Sequence, residues 1–343
     1  MKPRVHASTP TPHKDFGCQH YHEFADDMSD ASTLRRTTRL EGERATELAS
    51  DLGTTTMNSA AYSPITPLFR VCDGVRVRFA DNKADSSAMT VLMLSPWPES
   101  LWAYRRIWDR VSAVARVVAI DMPGFGHSDG RPELIAPDAM GTFLARLIEE
   151  WGLGAPHVVG PDVGTAAALF LAANAPDRVT SLTIGGGAVR VPIDAGGALK
   201  DVIEAPSLDV VRQLDARTNI GFAVEPAAGA DSEPDVHEDY VSAYDLGRFA
   251  ESARFVRHYP EQNPVLRDLL PSIITPAQIV AGREDDLVPW SNNEYLADLL
   301  PNSEIRPLDA GHFAWEQASD EYGPLIVDWV AGGFRRVGGA ATA

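Results

Sequence analysis

The chain has 343 residues, 44% of them hydrophobic, which is enough for one large α/β domain carrying an insert and burying a substantial core. Its 48 acidic residues against 30 Lys and Arg give a formal charge of -18, which repels polyanions and excludes a nucleic-acid partner. Cysteine occurs twice, at Cys18 and Cys72 and in no CxxC pair, so no disulfide framework is expected and a reducing, cytoplasmic setting fits.

Residues 1–56 are polar and aperiodic, and they read as a flexible tail. Cys18-x-His20-x-His22 within it matches no established metal-site spacing, so no metal is expected. Arg35-Arg36 is followed by Leu40-Glu-Gly-Glu-Arg-Ala-Thr-Glu47, charged where an export signal needs an apolar run, so export is not expected. Met57 is an alternative start. No apolar stretch approaches the roughly 20 residues of a membrane span, and no membrane association is expected.

Beyond the tail, β-like runs alternate with helical ones. The strand candidates are Val75 to Phe79, Val91 to Leu94, Val117 to Ile120, His157 to Val159, Val179 to Ile184, Gln278 to Ala281 and Glu304 to Leu308. Between them, Met140 to Trp151, Ala166 to Ala173, Asn292 to Leu300 and Tyr322 to Val330 have helical periodicity. Such alternation predicts a mostly parallel, doubly wound sheet with helices on both faces. From Ala188 to about Asn263 no apolar strand run occurs, while segments such as Ser242 to Val256 favour helix. This divides the body into a core, 57–188 and 264–343, and an inserted, mainly helical cap, 189–263.

One motif carries chemistry. Gly160-Pro161-Asp162-Val163-Gly164 follows a strand and opens a small-residue helix, the G-x-nucleophile-x-G frame of a nucleophile elbow with aspartate at the reactive position. The glycines suit a strained turn packed close to its helix. Asp162 also occupies a position that helix-capping aspartates favour. Downstream, the strand from Gln278 ends in Gly282-Arg-Glu-Asp-Asp-Leu-Val-Pro289 and the strand ending at Leu308 runs into Asp-Ala-Gly-His312. Asp162, Asp285 and His312 thus follow the chain order nucleophile, acid, base. Among Glu284, Asp285 and Asp286, Asp285 has the matching offset from Gly282 and Val288-Pro289, although Asp286 suits a loop-capping role. Taken alone, His312 could equally be a structural, hydrogen-bonded histidine.

From about Met57 to Gly333 the chain resembles the epoxide hydrolase and haloalkane dehalogenase branch of the α/β-hydrolases. The matching segments are Ser95-Pro-Trp-Pro-Glu-Ser100, standing where that branch has a His-Gly-x-Pro turn, Asp121-Met-Pro-Gly-Phe-Gly-His-Ser-Asp129, the Asp162 elbow, Gly282 to Pro289, and Gly311-His312-Phe313. The resemblance implies an α/β-hydrolase fold and an oxyanion hole built from the backbone N–H groups of Trp97 and Val163. Pro96 lacks an N–H but precedes the donor, and Ser95 in place of histidine removes a supporting side chain.

A carboxylate attacking an ester would give a labile anhydride, whereas attack on an sp³ carbon bearing oxygen or halide gives an alkyl ester. The resemblance therefore implies a small apolar or amphipathic epoxide as substrate, opened to a vicinal diol without a cofactor, the Asp162 ester being hydrolysed by water activated by His312 and Asp285. It also implies acid assistance from cap tyrosines: Tyr259, which precedes the return to the core, with Tyr240 or Tyr244 as partner. A dehalogenase of this kind carries tryptophan after the nucleophile. Here that residue is Val163, and none of the seven tryptophans lies in the cap; dehalogenation is the alternative, followed by a non-catalytic binding protein on the same fold.

Overall fold

A computed structural model of the chain describes residues 65–84, 89–228 and 234–337. The tail 1–56, with Cys18, His20 and His22, lies outside the described residues, as does Met57.

Eight strands form one sheet in the order β1-β2-β4-β3-β5-β6-β7-β8. They are β1 Leu68–Cys72, β2 Val75–Asp81, β3 Thr90–Leu94, β4 Arg116–Ile120, β5 His157–Pro161, β6 Ser181–Gly185, β7 Ala277–Gly282 and β8 Ser303–Leu308. β1 and β2 pair antiparallel, β2 runs antiparallel to β4, and every later pairing is parallel. The seven strands expected from periodicity are present. β1 was not legible: it is an edge strand whose Leu68, Phe69 and Val71 are exposed and only Cys72 is buried, so no buried face imposes an alternating pattern.

Central strands are apolar on both faces because each face is covered. In β3, Val91 and Met93 enter one core cluster while Leu92 and Leu94 enter the other, the period of two expected of a strand. Helices α1 (Trp108–Ser112) and, near the end of the chain, Ser319–Val330 cover the first side. Helices α2 (Pro137–Trp151) and α3 (Val163–Asn174) cover the second. The expected helices are all present, each starting up to three residues earlier than the apolar pattern.

Between β6 and β7 the described residues contain helices and no strand: α4 Gly197–Glu204, α5 Leu208–Arg212, α6 Ala216–Ala228, α7 Pro234–Ser242, α8 Arg248–Ser252, α9 Arg254–Arg257 and α10 Tyr259–Leu269. Ser242 to Val256 is not one helix. Leu246 and Gly247 adopt left-handed conformations, φ 56° and 83°, which end the turn after α7 and start α8 in a new direction. The cap boundary expected after residue 263 falls inside α10. Pro264 is accommodated within that helix, and Asn263 Nδ2 donates to Ala188 O at 2.8 Å, joining the two ends of the insert. Among the described residues no helix is long and apolar enough to cross a membrane.

Candidate active site

The turn from β5 to α3 forces Asp162 to φ 53° and ψ -125°, a region that costs a non-glycine residue about 1–3 kcal/mol. Backbone contacts hold it there. The Asp162 N–H donates to Gly185 O at 2.9 Å, and the Thr165 hydroxyl donates to the carbonyls of Gly160 and Gly185. A Cβ on Gly160 would lie 2.7 Å from Gly164 O, so only glycine fits. A Cβ on Gly164 would meet Leu94 at an ordinary 3.4 Å, so this second glycine is not sterically required.

The Asp162 side chain makes no helix-capping hydrogen bond. Its Oδ2 instead accepts the backbone N–H of Trp97 at 2.7 Å, and its Oδ1 lies 3.7 Å from His312 Nε2. The loops after β3, β5 and β8 thus converge on one buried carboxylate, as expected at the carboxyl edge of a parallel sheet. Val163 opens α3 at a position where a backbone N–H has no acceptor inside the helix.

On its far side the His312 ring meets Asp285. Nδ1 lies 2.9 Å from Asp285 Oδ2, while Asp285 Oδ1 accepts the N–H groups of Leu287 at 2.9 Å and Val288 at 2.8 Å. Glu284 and Asp286, the neighbouring candidates, are exposed, whereas Asp285 is buried. Burial disfavours the charged imidazole, but hydrogen bonds and fields from Asp162 and Asp285 outweigh it and raise the His312 pKa to about 10. At neutral pH the site therefore holds an imidazolium between two carboxylates.

The loop after β3, the candidate oxyanion loop, is fastened from both sides. Ser95, standing where the resemblance expects histidine, accepts the Met122 N–H on its hydroxyl at 3.3 Å and donates its own N–H to Ile120 O. The Trp97 indole N–H donates to Ser252 Oγ at 2.8 Å, and its ring stacks on Phe249 at 5.2 Å, both on α8. Ser252 and Thr165 escaped sequence reading because a lone Ser or Thr in a helix gives no signal until its partner is known.

The three cap tyrosines separate. Tyr240 donates to Glu316 Oε1 at 2.5 Å and accepts from Arg105 at 3.4 Å, within a buried polar cluster. Tyr244 donates to the Glu99 carbonyl at 2.9 Å and accepts the Gly126 N–H at 3.2 Å. Both hydroxyls are occupied by structural partners, which is not the placement expected of an acid partner. Tyr259 differs: its hydroxyl has no hydrogen-bond partner among the described residues, and burial followed by the field of Asp162 pushes its pKa well above the usual phenol range. Among the described residues no group of three or more His, Cys, Asp or Glu could hold a metal ion.

A family model described as the alpha/beta hydrolase fold matches residues 90–207. Among curated relatives, a 2-hydroxy-6-oxononadienedioate/2-hydroxy-6-oxononatrienedioate hydrolase of Paraburkholderia phymatum is 26% identical over 295 residues, covering 81% of this chain and 98% of the relative. Among solved structures, Cfl2 of Burkholderia cenocepacia superposes with a TM-score of 0.68 at 21% identity, covering 80% of this chain and 98% of its own. The meta-cleavage product hydrolase CumD gives a TM-score of 0.63 at 19% identity over 77% of this chain and 97% of its own. Two of these names are those of hydrolases outside the epoxide hydrolase and dehalogenase branch that the sequence motifs resemble, and the name Cfl2 states no activity. What the sheet order, the strained elbow after β5 and the family match share is broader than any branch: this chain has the α/β-hydrolase fold.

Proposed function

We propose that the chain is a hydrolase with Asp162 as covalent nucleophile, and that it opens an epoxide to a vicinal diol. One observation carries this reading: the elbow holds a carboxylate, in the strained nucleophile conformation, gripped at Oδ2 by the Trp97 N–H and facing His312 at Oδ1.

The division of the two oxygens suggests the steps. Oδ1 attacks an epoxide carbon, the carbon–oxygen bond breaks, and Tyr259 gives its proton to the leaving alkoxide. Oδ2 becomes the carbonyl oxygen of the alkyl ester, already seated against the Trp97 N–H. Ester formation removes the Asp162 charge, one of the two carboxylates that hold the proton on His312, so the imidazolium gives that proton up, through solvent, to the Tyr259 phenolate, which restores the phenol and leaves a neutral imidazole. Neutral His312, oriented by Asp285, then takes a proton from water as that water attacks the ester carbonyl. Trp97 and Val163 N–H groups hold the oxyanion, and collapse releases the diol and the Asp162 carboxylate.

Two other readings have support. The curated relatives point to hydrolysis of a carbon–carbon bond in a 2-hydroxy-6-oxo dienoate. Carboxylate attack on such a carbonyl would give an anhydride, so that reading needs a different role for Asp162. Dehalogenation shares the triad, but the indole N–H groups of Trp97 and Trp315 are held by Ser252 and Glu99, and Val163 has no side-chain donor for a halide.

The deciding experiment uses His312→Gln, which blocks hydrolysis but not alkylation, incubated separately with styrene oxide and 1-bromobutane and read by intact mass and peptide mapping. A full-mass epoxide adduct on the Asp162 peptide supports the proposal, and a butyl adduct installs the dehalogenase. Turnover of a 2-hydroxy-6-oxo dienoate by the wild type, with no Asp162 adduct from either probe, would overturn the proposal in favour of carbon–carbon hydrolysis.

A further inference from the structure

Behind the oxyanion loop lies a buried acid pair that the steps above do not use. Glu99, two residues after Trp97, and Glu316, four after His312, are both 0% exposed. Glu99 Oε2 accepts the Trp315 indole N–H at 2.7 Å, and the Trp315 ring stands edge-on to the His312 ring at 5.7 Å. Glu316 Oε1 accepts from Arg105 at 2.7 Å and from Tyr240 at 2.5 Å. The remaining oxygens, Glu99 Oε1 and Glu316 Oε2, are buried without a donor among the described residues, although the two side chains lie within hydrogen-bonding reach of each other.

We infer that Glu99 and Glu316 share one proton, and that this carboxylic acid–carboxylate bridge is a positioning device that ties the oxyanion loop to the histidine loop and both to cap helix α7. Two considerations lead there. A buried carboxylate oxygen without a donor is costly, and two facing each other are costlier; one proton satisfies both at once. The charge balance agrees. Arg105 is the guanidinium paired with a carboxylate of the pair, so two carboxylates and Arg105 sum to minus one, and the proton restores neutrality in a site where an unbalanced charge is strongly disfavoured. The neutral polar groups facing the pair change nothing in that sum: Tyr240 and Trp315 are donors and Tyr104 is a buried phenol, while Arg106, a partly exposed guanidinium, bonds to the Glu316 backbone carbonyl at 3.3 Å. Burial and the neighbouring Glu316 both push the Glu99 carboxyl upward.

The bridge explains why the Tyr240 hydroxyl is already occupied: it is the cap's contribution to this cluster. It requires no assumption about which bond the site hydrolyses.

Infrared spectroscopy of the wild-type enzyme at pH 8, compared in H₂O and D₂O, tests it. At that pH Asp121, the other buried carboxyl with a raised pKa of about 6, is ionised and silent. The expected result is a deuterium-sensitive carboxylic acid C=O band in the wild type that vanishes in Glu99→Gln. The amide of that variant donates to Glu316 and accepts from Trp315, so slow hydrogen exchange of the Trp315 indole is retained in Glu99→Gln and lost in Glu99→Ala. Absence of the acid band from the wild type, or its persistence in Glu99→Gln, overturns the inference and replaces the bridge with two ionised carboxylates joined through water. Equal indole protection in Glu99→Ala overturns the positioning role. The wild-type spectrum decides on the proton even if a variant does not fold.

Discussion

The Trp97 backbone N–H meets Asp162 Oδ2 at 2.7 Å, joining two residues 65 apart in sequence, and leaves Oδ1 as the oxygen that faces His312. This single contact divides the carboxylate into a held half and a half that faces the histidine. The consequences can be tested with substitutions that preserve shape.

Asp162→Asn keeps the side-chain volume and tolerates φ 53°, since asparagine is among the residues best suited to that region. The fold should be retained, less stable only by the part of the His312 pairing that Asp162 supplies, while turnover falls by about a thousandfold or more, because a neutral amide is a poor nucleophile. Thermal melting and single-turnover kinetics on the same preparation check both halves.

His312 binds its proton more tightly in the folded chain, with a pKa of about 10 against an ordinary 6.5. Its contribution to stability is therefore complete below about pH 6.5 and is lost as pH rises through about 10. Melting temperatures measured between pH 6 and 10.5 should fall across that window in the wild type and fall less in His312→Gln. An imidazole that titrates near its ordinary value by NMR would contradict the pairing with two carboxylates. In Asp162→Asn the same titration should move downward, since one of the two charges has gone.

The tyrosines predict a contrast. Tyr259→Phe should lower the rate of epoxide opening by about 10²–10⁴ with little change in stability, the range for loss of a general acid. Tyr240→Phe should instead cost about 1.5–3 kcal/mol of stability, the value of a hydrogen bond to a charged partner, because its hydroxyl holds Glu316. Stopped-flow ester formation and denaturant melts separate the two effects.

Gly160→Ala drives a methyl to 2.7 Å from the Gly164 carbonyl and should destabilise the fold by about 1–3 kcal/mol. Gly164→Ala places its methyl at ordinary contact distance and should be tolerated. Equal melting temperatures for the two variants would mean that the elbow relaxes more readily than its packing implies.

By itself, the sequence determined the layered α/β plan, the helical insert and the three residues that the site brings together. The central strands were legible because their apolar runs are buried on both faces, and the three candidate site residues were legible because each sits in a short local frame: Asp162 between glycines, Asp285 before Val288-Pro289, His312 after Gly311. Only the tertiary structure decided the rest. β1 carries no pattern because an exposed edge imposes none, and Asp285 separates from Glu284 and Asp286 only once burial is known. The cap tyrosines look alike as letters, yet two are tied to Glu316 and to the Glu99 carbonyl while Tyr259 is left under the field of Asp162. Local spacing encodes the elbow and the turns; which hydroxyl is already satisfied depends on partners 76 or 145 residues away, and that pairing exists only after the chain has folded.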